Sequence, residues 1–142
     1  MVQDRSIAGY HVLNALGHGA RSHIYAVRGE DGKEYALKHV VREQTNDDRV
    51  MEQAIREHEI AQKFDHPVLR KSLELIRRRK LFRVSEIIVI MELFDGQTLE
   101  HWDNDDLLSF CHLMLEVCGA LHHMHSRGFV HADLKPNNIL VD

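Results

Sequence analysis

The stretch His131-Ala132-Asp133-Leu134-Lys135-Pro136-Asn137-Asn138-Ile139-Leu140 decides how this sequence is read. An Asp is followed by four residues and an Asn, introduced by a His and continued by an apolar run. Phosphoryl transfer needs a carboxylate to orient the attacking hydroxyl and accept its proton, an amide oxygen to hold magnesium, and a cation near the moving phosphate. Asp133, Asn138 and Lys135 supply those three groups. A capped turn without chemistry accounts for an Asp-x-x-x-x-Asn spacing alone, but not for all ten residues together with a lysine far upstream.

Working back from this loop, Leu107 to Met124 holds twelve apolar side chains in eighteen residues and one formal charge, Glu116. Asn104, Asp105 and Asp106 precede it with groups suited to a helix N-terminus. The pattern predicts a helix apolar on nearly every side, which belongs inside a larger body. Only eighteen residues follow Met124, with Asn138 to Val141 as a short strand, so the helix is expected to be left uncovered. Cys111 and Cys118, seven apart, fit neither a disulfide framework nor a zinc pattern and read as small core residues.

Before Asp95-Gly96 the periodicity is that of strands. Tyr10 to Leu16 alternates weakly up to Gly17 and Gly19. His23 to Arg28 and Tyr35 to Val41 flank Glu30-Asp31-Gly32, a strong hairpin signal. Ser72 to Ile76 and Val84 to Met91 read as two more strands, with basic Arg77 to Lys80 as the turn between them. Asn46 to Phe64 lacks Gly and Pro and repeats Met51, Ala54, Ile55, His58 and Ala61 at helical spacing. That spacing predicts one helix ending before His66-Pro67. The first ninety residues thus read as five strands and one helix, and Asp95 to Asp103 as a hinge.

Within that frame, Leu16-Gly17-His18-Gly19-Ala20-Arg21-Ser22 nearly matches a glycine pattern that lets backbone approach phosphate. A dinucleotide fingerprint opens a helix, whereas this loop joins two strands and Ile24 follows Ser22 by two, as in a flap over ATP phosphates. A plain glycine hairpin fits the loop equally well on its own. Strand alternation puts Ala36 and Lys38 on one face, so a small residue can touch a flat base while the ammonium reaches a phosphate. A lone strand lysine is usually a solvated edge residue, and Lys38 needs an anion to hold it. Glu57 and Glu59, roughly 200° apart round the helix, cannot share that role, and helix geometry alone leaves the choice open.

In this order and together, these motifs resemble the eukaryotic-type protein kinases from about Leu16 to the last residue. Lys135, two residues after the acid, resembles the serine/threonine branch. The resemblance implies an α+β protein-kinase-like fold: a five-stranded antiparallel N-lobe with one helix, then the start of a helical C-lobe. Residues 1–94 would be the ATP-binding lobe. Residues 95–142 would hold the helix after the hinge, the apolar helix and the catalytic loop. Gly17, Gly19 and Ser22 would cover the triphosphate, and Lys38 would contact its α- and β-phosphates while paired with Glu57, favoured by its spacing to His66-Pro67. Met91 would be the gatekeeper. The backbone of Glu92 and Phe94 would bind the adenine edge, and Leu16, Ile24, Ala36 and Leu140 its faces. Asp133 would be the catalytic base beside Lys135, and Asn138 a magnesium ligand, with a protein hydroxyl as acceptor.

Three departures accompany the resemblance. Ser22 stands for a third glycine. Ala132 stands where an arginine usually precedes the catalytic Asp, so switching by a phosphorylated activation loop is not expected. The sequence ends at Asp142, before an Asp-Phe-Gly segment. From that ending the 142-residue polypeptide is expected to aggregate and to transfer no phosphate. A non-catalytic nucleotide-binding fragment and a small-molecule phosphotransferase, whose loop usually lacks the lysine, are the rival readings.

Composition narrows the classes. Of 142 residues 44% are hydrophobic, with Gly 8 and Pro 2, so one packed core is expected in place of disorder or a fibrous repeat. A net charge of −4 gives no whole-chain reason to expect nucleic acid. No uninterrupted apolar run approaches a membrane span and no secretory leader is evident, so a cytoplasmic protein is expected. Arg77, Arg78, Arg79, Lys80 and Arg83 cluster, as solvated turns often do, although an acidic partner would also suit them. His122, His123 and His125 lack the i, i+4 spacing of a metal pair, and Trp102 reads as an anchor for the hinge segment.

Overall fold

A computed structural model describes residues 5–19, 21–43, 47–103 and 106–142. Two compact units result: Met1–Lys63 with Arg70–Leu93, and Phe64–Leu69 with Phe94–Asp142.

The first unit is built on a six-stranded sheet. Its strands are β1 (Ser6–Ile7), β2 (Tyr10–His18), β3 (Ser22–Arg28), β4 (Glu34–Val41), β5 (Ser72–Lys80) and β6 (Arg83–Glu92), in the order β1-β2-β3-β4-β6-β5 with every pair antiparallel. The sixth strand, absent from the sequence reading, is the two-residue β1, too short to show a period of two. Alternation assigns the two faces. Val27, Leu37, Ile88 and Ile90 fill one core with Ile7, Val12 and Tyr25. Val40, Ile87 and Val89 fill the other with Met51 and Ala54 of helix α1 (Asp48–Ala61). Burying each such large side chain contributes about 1.5–3 kcal/mol, which fixes the register because a one-residue slip would reverse the faces. Asn46, the expected helix start, lies outside the described residues.

The Asp31-Gly32 hairpin forms as expected: Gly29 N donates to Lys33 O at 2.9 Å, and Gly32 adopts φ 77°. The expected turn over Arg77 to Lys80 does not. Those residues are strand, in register with β6 up to the pair Lys80–Arg83, and the turn is Leu81-Phe82 at φ 48° and 68°. Nothing in that pair of residues signals a turn, because bulky side chains rarely enter the left-handed region.

In the second unit, helix α2 (Leu107–His125) starts at Asp106, whose carboxylate accepts from Leu108 N, Ser109 N and Ser109 Oγ. Those bonds, the Ser109 hydroxyl first, hold the Asp106 carboxyl below the usual carboxylate range. Asn104 and Asp105 are outside the described residues. Phe64 meets Phe129 edge-on at 5.3 Å and His66 lies 5.0 Å from His123, so the Phe64–Leu69 segment packs on the end of α2. Strands β7 (Gln97–Thr98) and β8 (Leu140–Val141) pair antiparallel, and Leu99 N bonds Ile139 O at 2.8 Å, closing the loop between them.

One expectation about α2 is corrected and one is met. Cys111 and Cys118 are exposed, not core, whereas the helix is left largely uncovered as expected, with only Ala120 and Met124 buried. Few described elements pack against it, so Leu107, Leu108, Phe110 and Leu115 are exposed, while Leu113, Met114, Val117 and Leu121 are half-buried. By length and composition alone α2 is also apolar enough to cross a membrane, with 19 residues and a mean hydropathy of 1.2.

Candidate active site

The glycine loop is a strand–turn–strand element, which removes the dinucleotide alternative. Strand β2 runs through Gly17, paired with Ile24, to His18, paired with His23, and Gly19 N donates to Ser22 O at 2.8 Å. A Cβ on Gly19 would stand 3.0 Å from Ser22 Oγ, whereas one on Gly17 would meet nothing within 4 Å. Gly19 is thus constrained by the turn itself. Gly17 answers to no packing, leaving its backbone open to approach.

Lys38 projects from β4 on the α1 face, with Ala36, fully buried, two residues before it and opposite Met91 of β6. Its Nζ lies 2.6 Å from Glu57 Oε2, and Gln53 Nε2 steadies Glu57 Oε1 at 2.9 Å. Glu57, not Glu59, is therefore the partner. Around this pair a cavity of about 370 Å³ is lined by Arg21, Ser22, Lys38, Gln53 and Glu57 with Val40, Val50 and Ala54. The lining brings two cations, a hydroxyl and an amide together with the Glu57 carboxylate, and each cation is paired with a carboxylate. Arg21 was not anticipated. It reaches the carboxylate of Asp47, buried at the start of α1, whose other oxygen accepts from Glu43 N at 2.9 Å. No local pattern links residues that far apart, so the sequence carried no signal of it.

The second unit contributes the loop quoted at the outset. Asn138 Nδ2 donates to Asp133 O at 2.7 Å and to Asp133 Oδ2 at 3.0 Å, and Lys135 Nζ lies 3.1 Å from that same Oδ2. The Lys135 ammonium first, then the Asn138 amide, hold the Asp133 carboxyl below the usual carboxylate range. Asp133 N closes on His131 O at 2.8 Å across Ala132, which sits at φ 61°. A positive φ on alanine is strained, and such strain concentrates where a side chain must be aimed. A 3-10 turn over Pro136–Asn138 then sets Asn138 against Asp133. Of the residues expected around adenine, Leu16, Ile24, Ala36, Met91 and Glu92 belong to the first unit, and Phe94 and Leu140 to the second.

The family model described as protein kinase domain matches residues 10–142. The serine/threonine-protein kinase AtPK2/AtPK19 of Arabidopsis thaliana is 30% identical over 138 residues, covering 96% of this chain and 29% of that protein. Serine/threonine-protein kinase PrkC of Bacillus subtilis (strain 168) is 28% identical over 150 residues, covering 100% and 22%. Serine/threonine-protein kinase 16 of Homo sapiens is 31% identical over 144 residues, covering 93% and 45%. The chain thus spans less than half the length of these relatives. The crystal structure of the Mycobacterium tuberculosis PknI kinase domain superposes with a TM-score of 0.72 at 23% identity, over 99% of this chain and 57% of that one. That likeness shows the expected protein-kinase-like fold, and α2 lies within the matched span.

Proposed function

Because this chain belongs to the protein kinase domain family, we propose that it transfers the γ-phosphoryl group of ATP to a serine or threonine hydroxyl of a protein. The observation that carries this reading is the cluster of Asp133, Lys135 and Asn138 on one loop, within hydrogen-bond reach of each other. Both contacts fall on Asp133 Oδ2, which leaves Oδ1 to accept the proton of an incoming hydroxyl. The depressed carboxyl keeps Asp133 ionised for that task. Lys135 provides positive charge for the transferring phosphoryl oxygens.

In the first unit, Lys38 held by Glu57 would contact the α- and β-phosphates, and the turn from Gly17 through Gly19 to Ser22 would cover them with backbone N–H groups. The adenine faces would meet Leu16, Ile24, Ala36 and Leu140 and its edge the backbone of Glu92 and Phe94, with Met91 behind. Magnesium fits the donors present. Asn138 spends its Nδ2 on Asp133, which leaves the amide oxygen as a ligand. Among the described residues no group of three His, Cys, Asp or Glu could hold a metal, as suits an ion that keeps waters and phosphates as most of its ligands. When bound it would neutralise phosphate charge.

Transfer of labelled γ-phosphate to a serine/threonine peptide mixture, measured on the protein in its natural length, tests the reading. Lys38→Met and Asp133→Asn should each lose on the order of a hundredfold or more in rate, since oriented electrostatic contacts to the reacting groups are removed. Rates equal to the native protein's would refute the roles of these residues.

A further inference from the structure

The β5–β6 hairpin ends in a tip whose features are each unfavourable in water. Leu81 is 85% exposed and Phe82 is 100% exposed. Both stand at positive φ in a two-residue turn, a conformation that Asn-Gly adopts readily and a leucine or phenylalanine does not. Lys80 and Arg83 face each other across the ladder next to the turn, a like-charge pair. Arg77, Arg78, Arg79, Lys80 and Arg83 put five cations and no carboxylate into residues 77–83 of a chain whose net charge is −4. Among the described residues the one ion pair they make is Arg78 with Glu86, at 3.8 Å. Adjacent strand residues point to opposite faces, so the hairpin is basic on both sides below an apolar apex.

Cations on β5 have a plain explanation, because charged side chains protect the edge of a sheet from further pairing. That explanation does not reach Arg83 on β6, nor the choice of Leu-Phe at the apex. We propose that this hairpin is a membrane-surface anchor, in which Leu81 and Phe82 enter the interfacial layer of an anionic bilayer while the five cations lie against its head groups. Such a surface offers apolar material at depth and negative charge above it, the same two layers in the same order as the hairpin. A protein partner would need a broad patch with an apolar centre, from which charged residues are depleted. Here two apolar side chains form a point ringed by charge. The proposal is independent of the phosphoryl-transfer reading.

Flotation of the full chain with vesicles tests it. The native chain should bind vesicles of phosphatidylcholine with phosphatidylserine and not phosphatidylcholine alone, and lose that binding when salt rises from about 0.1 to about 0.5 M. Leu81→Asn with Phe82→Gly installs the turn that the backbone already prefers, so the fold is kept while the apolar apex is removed. Its partition should fall by about tenfold or more. Phe82→Gly alone should give a smaller loss, and Arg77→Gln with Arg78→Gln and Arg79→Gln a comparable one. Native-level binding by the Asn-Gly chain would overturn the proposal. So would failure of the native chain to bind anionic vesicles, or binding to polyglutamate in their place, which would point to an acidic protein.

Discussion

Asp133 shows at the scale of one residue how local geometry sets chemistry. Its Oδ2 takes hydrogen bonds from Lys135 and Asn138, both of which favour the ionised form, so the carboxyl stays below the ordinary carboxylate value of about 3.9. Removing Lys135 removes the larger cause. Followed by carbon NMR of the side-chain carboxyl, the Lys135→Met protein should therefore titrate Asp133 at higher pH than the native one. A titration that does not move would show that Lys135 does not govern this acid. In the sequence the three residues were legible because they lie within six positions. The choice of Glu57 over Glu59 was not fixed by helix geometry, and the fold makes it through a 2.6 Å contact between strand and helix. Ala132 at φ 61° and the Arg21–Asp47 pair were not legible at all, since each depends on where tertiary packing sends the backbone.

Elements with a strong internal period were readable and those shaped by close approach were not. Alternation placed β3, β4 and β6, and Asp31-Gly32 placed their first hairpin, because these signals act over a few residues. At the corner before β7 Asp95-Gly96 marks the break in the strand pattern but not what the glycine passes. A Cβ on Gly96 would come 2.4 Å from Phe94 Cε1 and 2.5 Å from Val141 O, so the chain can pass β8 at this point only without a side chain. Gly96→Ala should consequently push β7 from β8 and destabilise the second unit by about 1–3 kcal/mol, the usual cost of overpacking. Thermal melts of native and variant proteins check this, and an unchanged midpoint would mean that the corner yields freely. The helices differ for a related reason. Helix α1 buries Met51 and Ala54 against the sheet, as its spacing predicts, whereas α2 is apolar on nearly every side with too little chain after it to cover it, and only Ala120 and Met124 of it are buried, as expected.

For the whole molecule, composition indicated a packed domain, the motif order indicated the family, and the apolar helix with little chain after it indicated that apolar surface would face water. Leu108 is 66% and Leu115 is 68% exposed, and Cys111 and Cys118 are exposed with them. The four recur at intervals of three and four, which gathers them into one stripe along α2. Exposed apolar surface of that kind drives association, since each large side chain removed from water contributes about 1.5–3 kcal/mol. The 142-residue polypeptide should accordingly elute from size exclusion above its monomer position. Leu108→Gln with Leu115→Gln should return it towards the monomer while circular dichroism shows the helix retained, because glutamine and leucine have similar helix propensities. Under oxidising conditions the native polypeptide should also form disulfide-linked dimers through Cys111 or Cys118, which the two glutamines should make rarer by weakening the encounter that brings the thiols together. A native polypeptide that is monomeric at every concentration, with neither thiol cross-linking, would mean that this stripe is too dispersed to act as a sticky surface.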